Sequence, residues 1–393
     1  MHGLASCIAI VVDPWDFPFN GTVVSTRRFV EALDGQYQFK ILGTSDTEEP
    51  LDSRMISFDK VSIPGFNSIL ETMKVPLARP DRARIRKALE DADLLHLHFP
   101  FFLGYAAISE ARKLGIPVVS SFHVQPENLL LNVGIRSRLL AKWVYWFFMV
   151  AFYNRSDLVI APSEFAAQEL LAHGLTKPVE VISNGVPGRF FEIQRDVIPE
   201  KKTEGGLLKI LSVGRLAKEK QQALLLRAIA GSRFRESIEL NIVGTGPREN
   251  ELRRLAQTLN INARIEAVSD EVLSKLYSEA DLFVHTGEIE LEGMSVMEAI
   301  ASANAVLVSD SKDSAIARLV TDERARFTNN NVENLSKKID YLLEHPEERQ
   351  ALATANHEWV KNRSHSKSVV QLTSVYEALL ADAKVSVGIT QVE

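Results

Sequence analysis

The architecture turns on Glu180 to Lys220, which reads EVISNGVPGRFFEIQRDVIPEKKTEGGLLKILSVGRLAKEK. It opens on a strand-length run, Glu180–Ser183, passes Asn184-Gly-Val-Pro187, and crosses a polar stretch, Gln194–Gly206. A fresh apolar run, Lys209–Val213, then closes on Gly214-Arg215. One series of strands ends here and another begins. The earlier series is Ile8–Val12, Phe39–Leu42, Leu94–Leu97, Val118–Phe122, Leu158–Ala161 and Glu180–Ser183; the later adds Glu239–Val243, Arg264–Ala267, Leu282–His285 and Ala305–Ser309. Continuous β-branched runs of this length are the mark of parallel strands buried on both faces. Helical patterns lie between them, among them Phe165–Ala172, Gln221–Ala230, Arg248–Leu259 and Asp270–Glu279. Such alternation implies right-handed βαβ crossovers. The expectation is an α/β chain of two doubly wound, Rossmann-like domains, residues 1–185 and 186–393. The last helical segment, Lys367–Asp382, is expected to pack back on the first.

Bulk properties agree. At 393 residues the chain exceeds one ordinary core, and 46% hydrophobic with 24% charged residues is globular composition. The single cysteine, Cys7, excludes an intramolecular disulfide framework and fits a reducing, cytoplasmic setting. No signal-peptide pattern precedes the first apolar run. A net charge of −6 argues against a nucleic-acid partner. Two local features stand out: Lys74–Lys87, KVPLARPDRARIRK, has six basic residues and one acid, and Trp143–Tyr153 is an aromatic-rich run of eleven. The second is too short to span a bilayer, which takes roughly 20 residues.

In open α/β sheets, ligands sit outside the carboxyl ends of the strands, so chemistry is sought in the loops that follow them. After the first strand, Asn20-Gly21-Thr22 precedes a helix expected from about Val23, and Gly21 either permits close backbone approach to a phosphate or belongs to an ordinary loop and N-cap. After Val213 come Arg215 and Lys220, a fork and a point charge able to neutralise a diphosphate, or else two solvated cations at a helix start. After His285 comes an acidic segment in which Glu290 lies in a loop, with Glu288 and Glu292 close enough to be alternatives. A helix expected near Ser295 puts the amides of Met294 and Ser295 at its positive end and Glu298 in its first turn. Ser295-Val-Met-Glu298 is also a capping-box sequence, so Glu298 either serves that cap or meets a ligand. His96 and His98 share one face of a strand end, and His123 follows another strand. No third ligand has metal-site spacing, so no metal is expected, and His123 is placed either to pack or to hydrogen-bond a ligand.

Together these segments resemble the retaining GT-B glycosyltransferases of family 4. The likeness is carried by His123 in SSFHVQPE, by DLVIAPSE, EVISNGV, Gly214-Arg-Leu-Ala-Lys-Glu-Lys220 and Val243-Gly-Thr-Gly-Pro247, by Val268-Ser-Asp270, and by Glu290 with seven residues before Glu298. The resemblance implies that the domains face each other across a cleft, donor on the second and acceptor on the first. It implies that Gly21 lets the first loop approach the donor phosphate and that Arg215 and Lys220 bind the diphosphate. It further implies that Glu298 binds the ribose, the backbone near Val268 the base, and Glu290, Gly293, Met294 and Ser295 the sugar, with His123 touching that sugar. No cofactor or metal is implied beyond the nucleotide-sugar, UDP- or GDP-linked. The sequence departs from the pattern at Glu292, where E-G-F-G has a bulky apolar residue, and at Asn184, where proline is common. The variant EIELEGMSVMEA, with HLHFPFFLGY, SDSKDSA and DERARF, resembles a subgroup that glycosylates diacylglycerol. That implies a lipid or glycan acceptor and peripheral contact with a membrane; Arg82, Arg84 and Arg86 of the basic segment and Trp143 and Trp146 of the aromatic run are placed either to meet such a surface or to form a solvated basic surface and a buried helix.

Overall fold

A computed structural model describes residues 5–16, 21–45, 52–61, 76–193 and 206–390. Lys74, Asn20 and all of the polar stretch except Gly206 lie outside the described residues. The chain divides into two compact units, 1–183 with 368–393, and 184–367.

The first unit is built on a seven-stranded parallel sheet: β1 (Cys7–Val11), β2 (Gln38–Gly43), β3 (Met55–Ser57), β4 (Leu94–Leu97), β5 (Val118–Ser121), β6 (Leu158–Ala161) and β7 (Val179–Val181). Its spatial order is β3-β2-β1-β4-β5-β6-β7, so the winding reverses between β1 and β4. The second unit holds a six-stranded parallel sheet: β8 (Leu208–Val213), β9 (Ile238–Val243), β10 (Ala263–Glu266), β11 (Leu282–His285), β12 (Val306–Ser309) and β13 (Arg326–Phe327). Here the order is β10-β9-β8-β11-β12-β13, and the reversal falls between β8 and β11. The α/β reading and the two doubly wound sheets are as expected. Strands β3 and β13 are additions; each is a short edge strand made by pairing, β13 through Val308 with Arg326 and Ser309 with Phe327.

Central strands are buried throughout, as at Ile8–Val11 and Leu282–His285, which is why they carry no polar alternation. Ile8, Ile10, Ile41, Leu94 and Val119 anchor the first core, and Ile210, Leu240, Phe283 and Leu307 the second. The last helix, His365–Thr390, adds Leu372, Val375, Tyr376 and Leu380 to the first core. Among the described residues no helix is long and apolar enough to cross a membrane.

The aromatic run lies in a helix, Arg138–Ala151, that is apolar on two faces. Ala141, Tyr145, Phe148 and Met149 are buried, while Leu139 is 82% exposed, Trp143 58%, Trp146 56% and Val150 52%. Trp143 stacks on Phe147, and Phe147 and Tyr105 both meet the buried Phe152 edge-on; Phe102 and Tyr105 of the helix Phe102–Leu114 are exposed as well. The helix Arg82–Leu89 departs from a purely solvated basic surface. Arg82 and Arg86 turn to Glu110 (3.0 and 3.9 Å), which Lys113 also reaches, while Arg84 lies over the Phe58 ring.

Candidate active site

The loops after β8 and β11 leave from the two strands that flank the second sheet's reversal, where ligands of open α/β sheets collect. The loop after β8 starts at Gly214 (φ 154°) and runs against Gly244 (φ 150°), where a Cβ would stand 2.1 Å from the Gly214 carbonyl oxygen. Gly244 therefore lets two loops pass backbone to backbone. A short 3-10 turn, Lys218–Lys220, and a left-handed Gln221 (φ 52°) follow before the helix Gln222–Ala230. Arg215 and Lys220 thus precede the helix rather than occupy its first turn. Arg215 Nη2 donates to Glu219, itself buried, at 2.6 Å. Lys220 is ion-paired with Glu290. Burial pushes the Lys220 ammonium down to about 8, with Glu219 opposing and Arg215 adding to the shift.

The loop after β11 is stitched to this turn. Thr286 Oγ1 donates to the Lys220 carbonyl at 2.7 Å, the Glu288 amide to the Glu219 carbonyl at 2.7 Å, and Gln221 Nε2 to the Glu288 carboxylate at 2.8 Å. The three neighbouring carboxylates are thereby told apart. Glu288 is spent on Gln221, Glu292 accepts from Asn184, and Glu290 faces Lys220 with His285 Nε2 3.3 Å away. Glu292 takes the Asn184 amide at 3.0 Å and also its side-chain Nδ2. The two departures from the family pattern are thus one hydrogen-bonded pair: proline would lack the N–H that Asn184 gives.

The helix after this loop is Met294–Ala301 and its N-cap is Gly293, not Ser295. Gly293 sits at φ 86°, and a Cβ there would come within 2.4 Å of Ile316. This overturns the capping-box alternative: Ser295 is inside the helix and Glu298 lies in its second turn, where its side chain cannot close a box. Glu298 is buried and accepts instead from the Tyr277 hydroxyl at 3.3 Å, while that hydroxyl also reaches the Ser295 carbonyl. The first turn's carbonyl bonds begin with the Val296 and Met297 amides to Gly293, so the Met294 and Ser295 amides are the helix's outward donors. Val268 lies between β10 and the helix Asp270–Glu279, its side chain against the second core.

In the first unit, Gly21 opens the helix Gly21–Ala32 and nothing lies within 4 Å of where its Cβ would be. Thr26, one turn on, gives its hydroxyl hydrogen to Thr22 and sits 3.2 Å from His98 Nδ1. His123 Nε2 also lies 3.2 Å from His98 Nδ1, so Thr26, His98 and His123 form one hydrogen-bonding chain. His96 uses both ring nitrogens, on Tyr376 (2.6 Å) and Ser121 (2.8 Å). Burial lowers His96 to about 3 and His123 to about 4, so the stack is neutral. Among the described residues no three metal-ligating side chains gather.

Sequence reading missed His285, Glu219 and Tyr376. His285 and Glu219 lie inside quoted motifs and were there to be found; Tyr376 is 280 positions from its partner, beyond any local signal.

A Glycosyltransferase Family 4 model matches residues 19–188, and a Glycosyl transferases group 1 model matches residues 194–359. The GDP-mannose-dependent alpha-mannosyltransferase of Mycobacterium tuberculosis is 27% identical over 378 residues, 95% of this chain and 96% of that protein. The alpha-monoglucosyldiacylglycerol synthase of Streptococcus pneumoniae is 27% identical over 237 residues, 56% of this chain and 54% of that one. In fold, sucrose-phosphate synthase from Thermosynechococcus elongatus superposes with a TM-score of 0.74 at 16% identity, over 96% of this chain and 100% of that chain. The chain is thus a Glycosyltransferase Family 4 domain followed by a Glycosyl transferases group 1 domain, a glycosyltransferase of GT-B fold that transfers a sugar from a nucleotide-sugar.

Proposed function

We propose that the enzyme is a retaining hexosyltransferase that moves a hexose from a UDP- or GDP-linked donor to a hydroxyl of diacylglycerol or a glycolipid, working at the cytoplasmic face of a membrane. The observation that carries the donor half is the interlocked set Arg215, Lys220 and Glu290 beside the start of the helix Met294–Ala301. Arg215 and Lys220 neutralise the departing diphosphate. Glu290 and the Met294 and Ser295 amides hold the sugar hydroxyls, Glu298 takes the ribose, and the backbone at Val268 meets the base. The bond from the anomeric carbon to the phosphate oxygen breaks, and the acceptor oxygen bonds on the same face. The acceptor's proton passes to the released phosphate. Rate then comes from stabilised leaving-group charge and from positioning, and two fixed cations with helix amides supply that charge without a metal. A neutral His123 can exchange hydrogen bonds with a sugar hydroxyl without bringing a charge to it.

The acceptor half rests on the outward apolar face of Leu139, Trp143, Trp146 and Val150, and on the exposed Arg82, Arg84 and Arg86 of a second helix, Arg82–Leu89. An apolar surface of this kind suits the headgroup boundary of a bilayer, and cations there gain from anionic lipid. The test is turnover of UDP- and GDP-sugars by the purified protein, with EDTA, with and without anionic vesicles containing diacylglycerol. Glycosylated lipid is the expected product, and replacing Arg82, Arg84 and Arg86 by Gln weakens vesicle binding by on the order of a hundredfold, at roughly 1 kcal/mol per cation. Transfer only to soluble sugars, with vesicles ignored at low salt, would refute the lipid acceptor.

A further inference from the structure

We propose that His285 is the positioning residue for Glu290, holding its carboxylate in place for the donor sugar when Lys220 is engaged by the diphosphate; this rests on the donor reading above. The geometry begins with a backbone bond. The Gly287 amide donates to His285 Nδ1 at 3.1 Å, so that nitrogen is an acceptor and the ring proton resides on Nε2. Gly287 has to be glycine for this, since a Cβ there would stand 2.3 Å from the ring's Cε1. The side chain of His285 is 3% exposed, and its Nε2–H has no aligned hydrogen-bond acceptor although Glu290 Oε1 is only 3.3 Å away. A buried donor left in this condition costs free energy comparable to a lost hydrogen bond.

The competitor is visible. Lys220 Nζ occupies the same Oε1 atom. Once a donor diphosphate draws the ammonium toward its own oxygens, the carboxylate keeps one neighbour, and a small rotation brings Oε1 onto the Nε2–H. The imidazole is neutral, because burial and the adjacent Lys220 lower it well below the ordinary histidine range. His285 therefore fixes the carboxylate without cancelling its charge, leaving the other oxygen for a sugar hydroxyl. Glu288 and Glu292, fastened to Gln221 and Asn184, fix the loop on either side.

Two substitutions separate positioning from architecture. His285→Asn keeps an acceptor for the Gly287 amide but loses the distal N–H; His285→Gln loses the near acceptor and restores an N–H at about the distal place. Both are made in the full chain, alone and combined with Glu290→Gln. Turnover is measured with UDP-glucose and GDP-mannose, and binding with UDP and GDP alone. We expect His285→Asn to lower turnover roughly tenfold to a hundredfold, the range of a hydrogen bond to a charged group. Nucleoside diphosphate affinity stays unchanged, His285→Gln recovers most of the rate, and neither lowers it further in the Glu290→Gln background. Wild-type turnover in His285→Asn beside an impaired Glu290→Gln overturns the positioning role while keeping the donor reading. So does a rate lost in His285→Gln and kept in His285→Asn, or full additivity with Glu290→Gln when both His285 variants are slow. Wild-type turnover in Glu290→Gln itself overturns the donor reading beneath.

Discussion

At the carboxyl end of the first sheet three imidazoles lie against one another and against Thr26, Ser121 and Tyr376; at that of the second, Arg215 and Lys220 are threaded among Glu219, Glu288 and Glu290. Both places lie beside a reversal of strand order, so topology offers each the same opportunity. The difference is in how charge is handled. Burial removes charge from the histidines; His96 meets two hydroxyls, His98 Nδ1 meets Thr26 and His123, and His98 Nε2 is buried without a partner. The second site keeps its cations by pairing each with a carboxylate. A site that stores paired cations is suited to a ligand bringing its own negative charge, since the ligand replaces a partner rather than creating one. The histidine stack has no such charge to exchange and suits neutral hydroxyls.

That contrast can be broken most sharply at the cations. Arg215→Ala or Lys220→Ala should reduce turnover at saturating donor by about a hundredfold or more, the scale of a lost oxyanion donor. His123→Ala should cost less than either. Steady-state kinetics on the three variants decide it, and near-normal rates in both cation variants remove the diphosphate assignment.

A middle-sized effect is expected at Glu298. Glu298→Gln still accepts from Tyr277, so thermal stability should hardly change, whereas donor affinity should fall about tenfold as a charged hydrogen bond to ribose becomes a neutral one. Calorimetric titration beside a melting curve separates the two readouts. Unchanged donor binding would leave Glu298 a partner of Tyr277 alone.

The smallest effect is a pH dependence. Only protonated Lys220 attracts a diphosphate, and its free-state value is about 8. Bound donor raises that value, so affinity is flat well below pH 8 and declines above it. Between pH 7 and 8.5 the loss should be about fourfold. Lys220→Arg, always charged, should titrate flat over that window. A slope retained in Lys220→Arg assigns the titration to another group.

Most of the fold could be read because parallel strands buried on both faces leave continuous apolar runs. Strands β3 and β13 could not. Arg326–Phe327 is two residues long and becomes a strand only through its partner β12. At the donor loop the local grammar misled: Ser295 and Glu298 have capping-box spacing, but the packing of Ile316 against Gly293 moves the cap two residues earlier. Residue spacing alone left Glu288, Glu290 and Glu292 equivalent. Their partners, Gln221, Lys220 with His285, and Asn184, come from loops up to 108 positions away, and only tertiary structure distinguishes them.

The Asn184–Glu292 pair bears on ancestry and engineering. A proline at 184 has no amide hydrogen to give, and a phenylalanine at 292 has no oxygen to receive one. A lineage passing from one pair to the other a codon at a time must traverse a form in which a buried carboxylate has lost both Asn184 donors, or an amide its acceptor, at about 1–3 kcal/mol. The two positions are therefore expected to change together. A donor loop transplanted from a relative without residue 184 should arrive already handicapped, and restoring the companion residue is the cheapest repair.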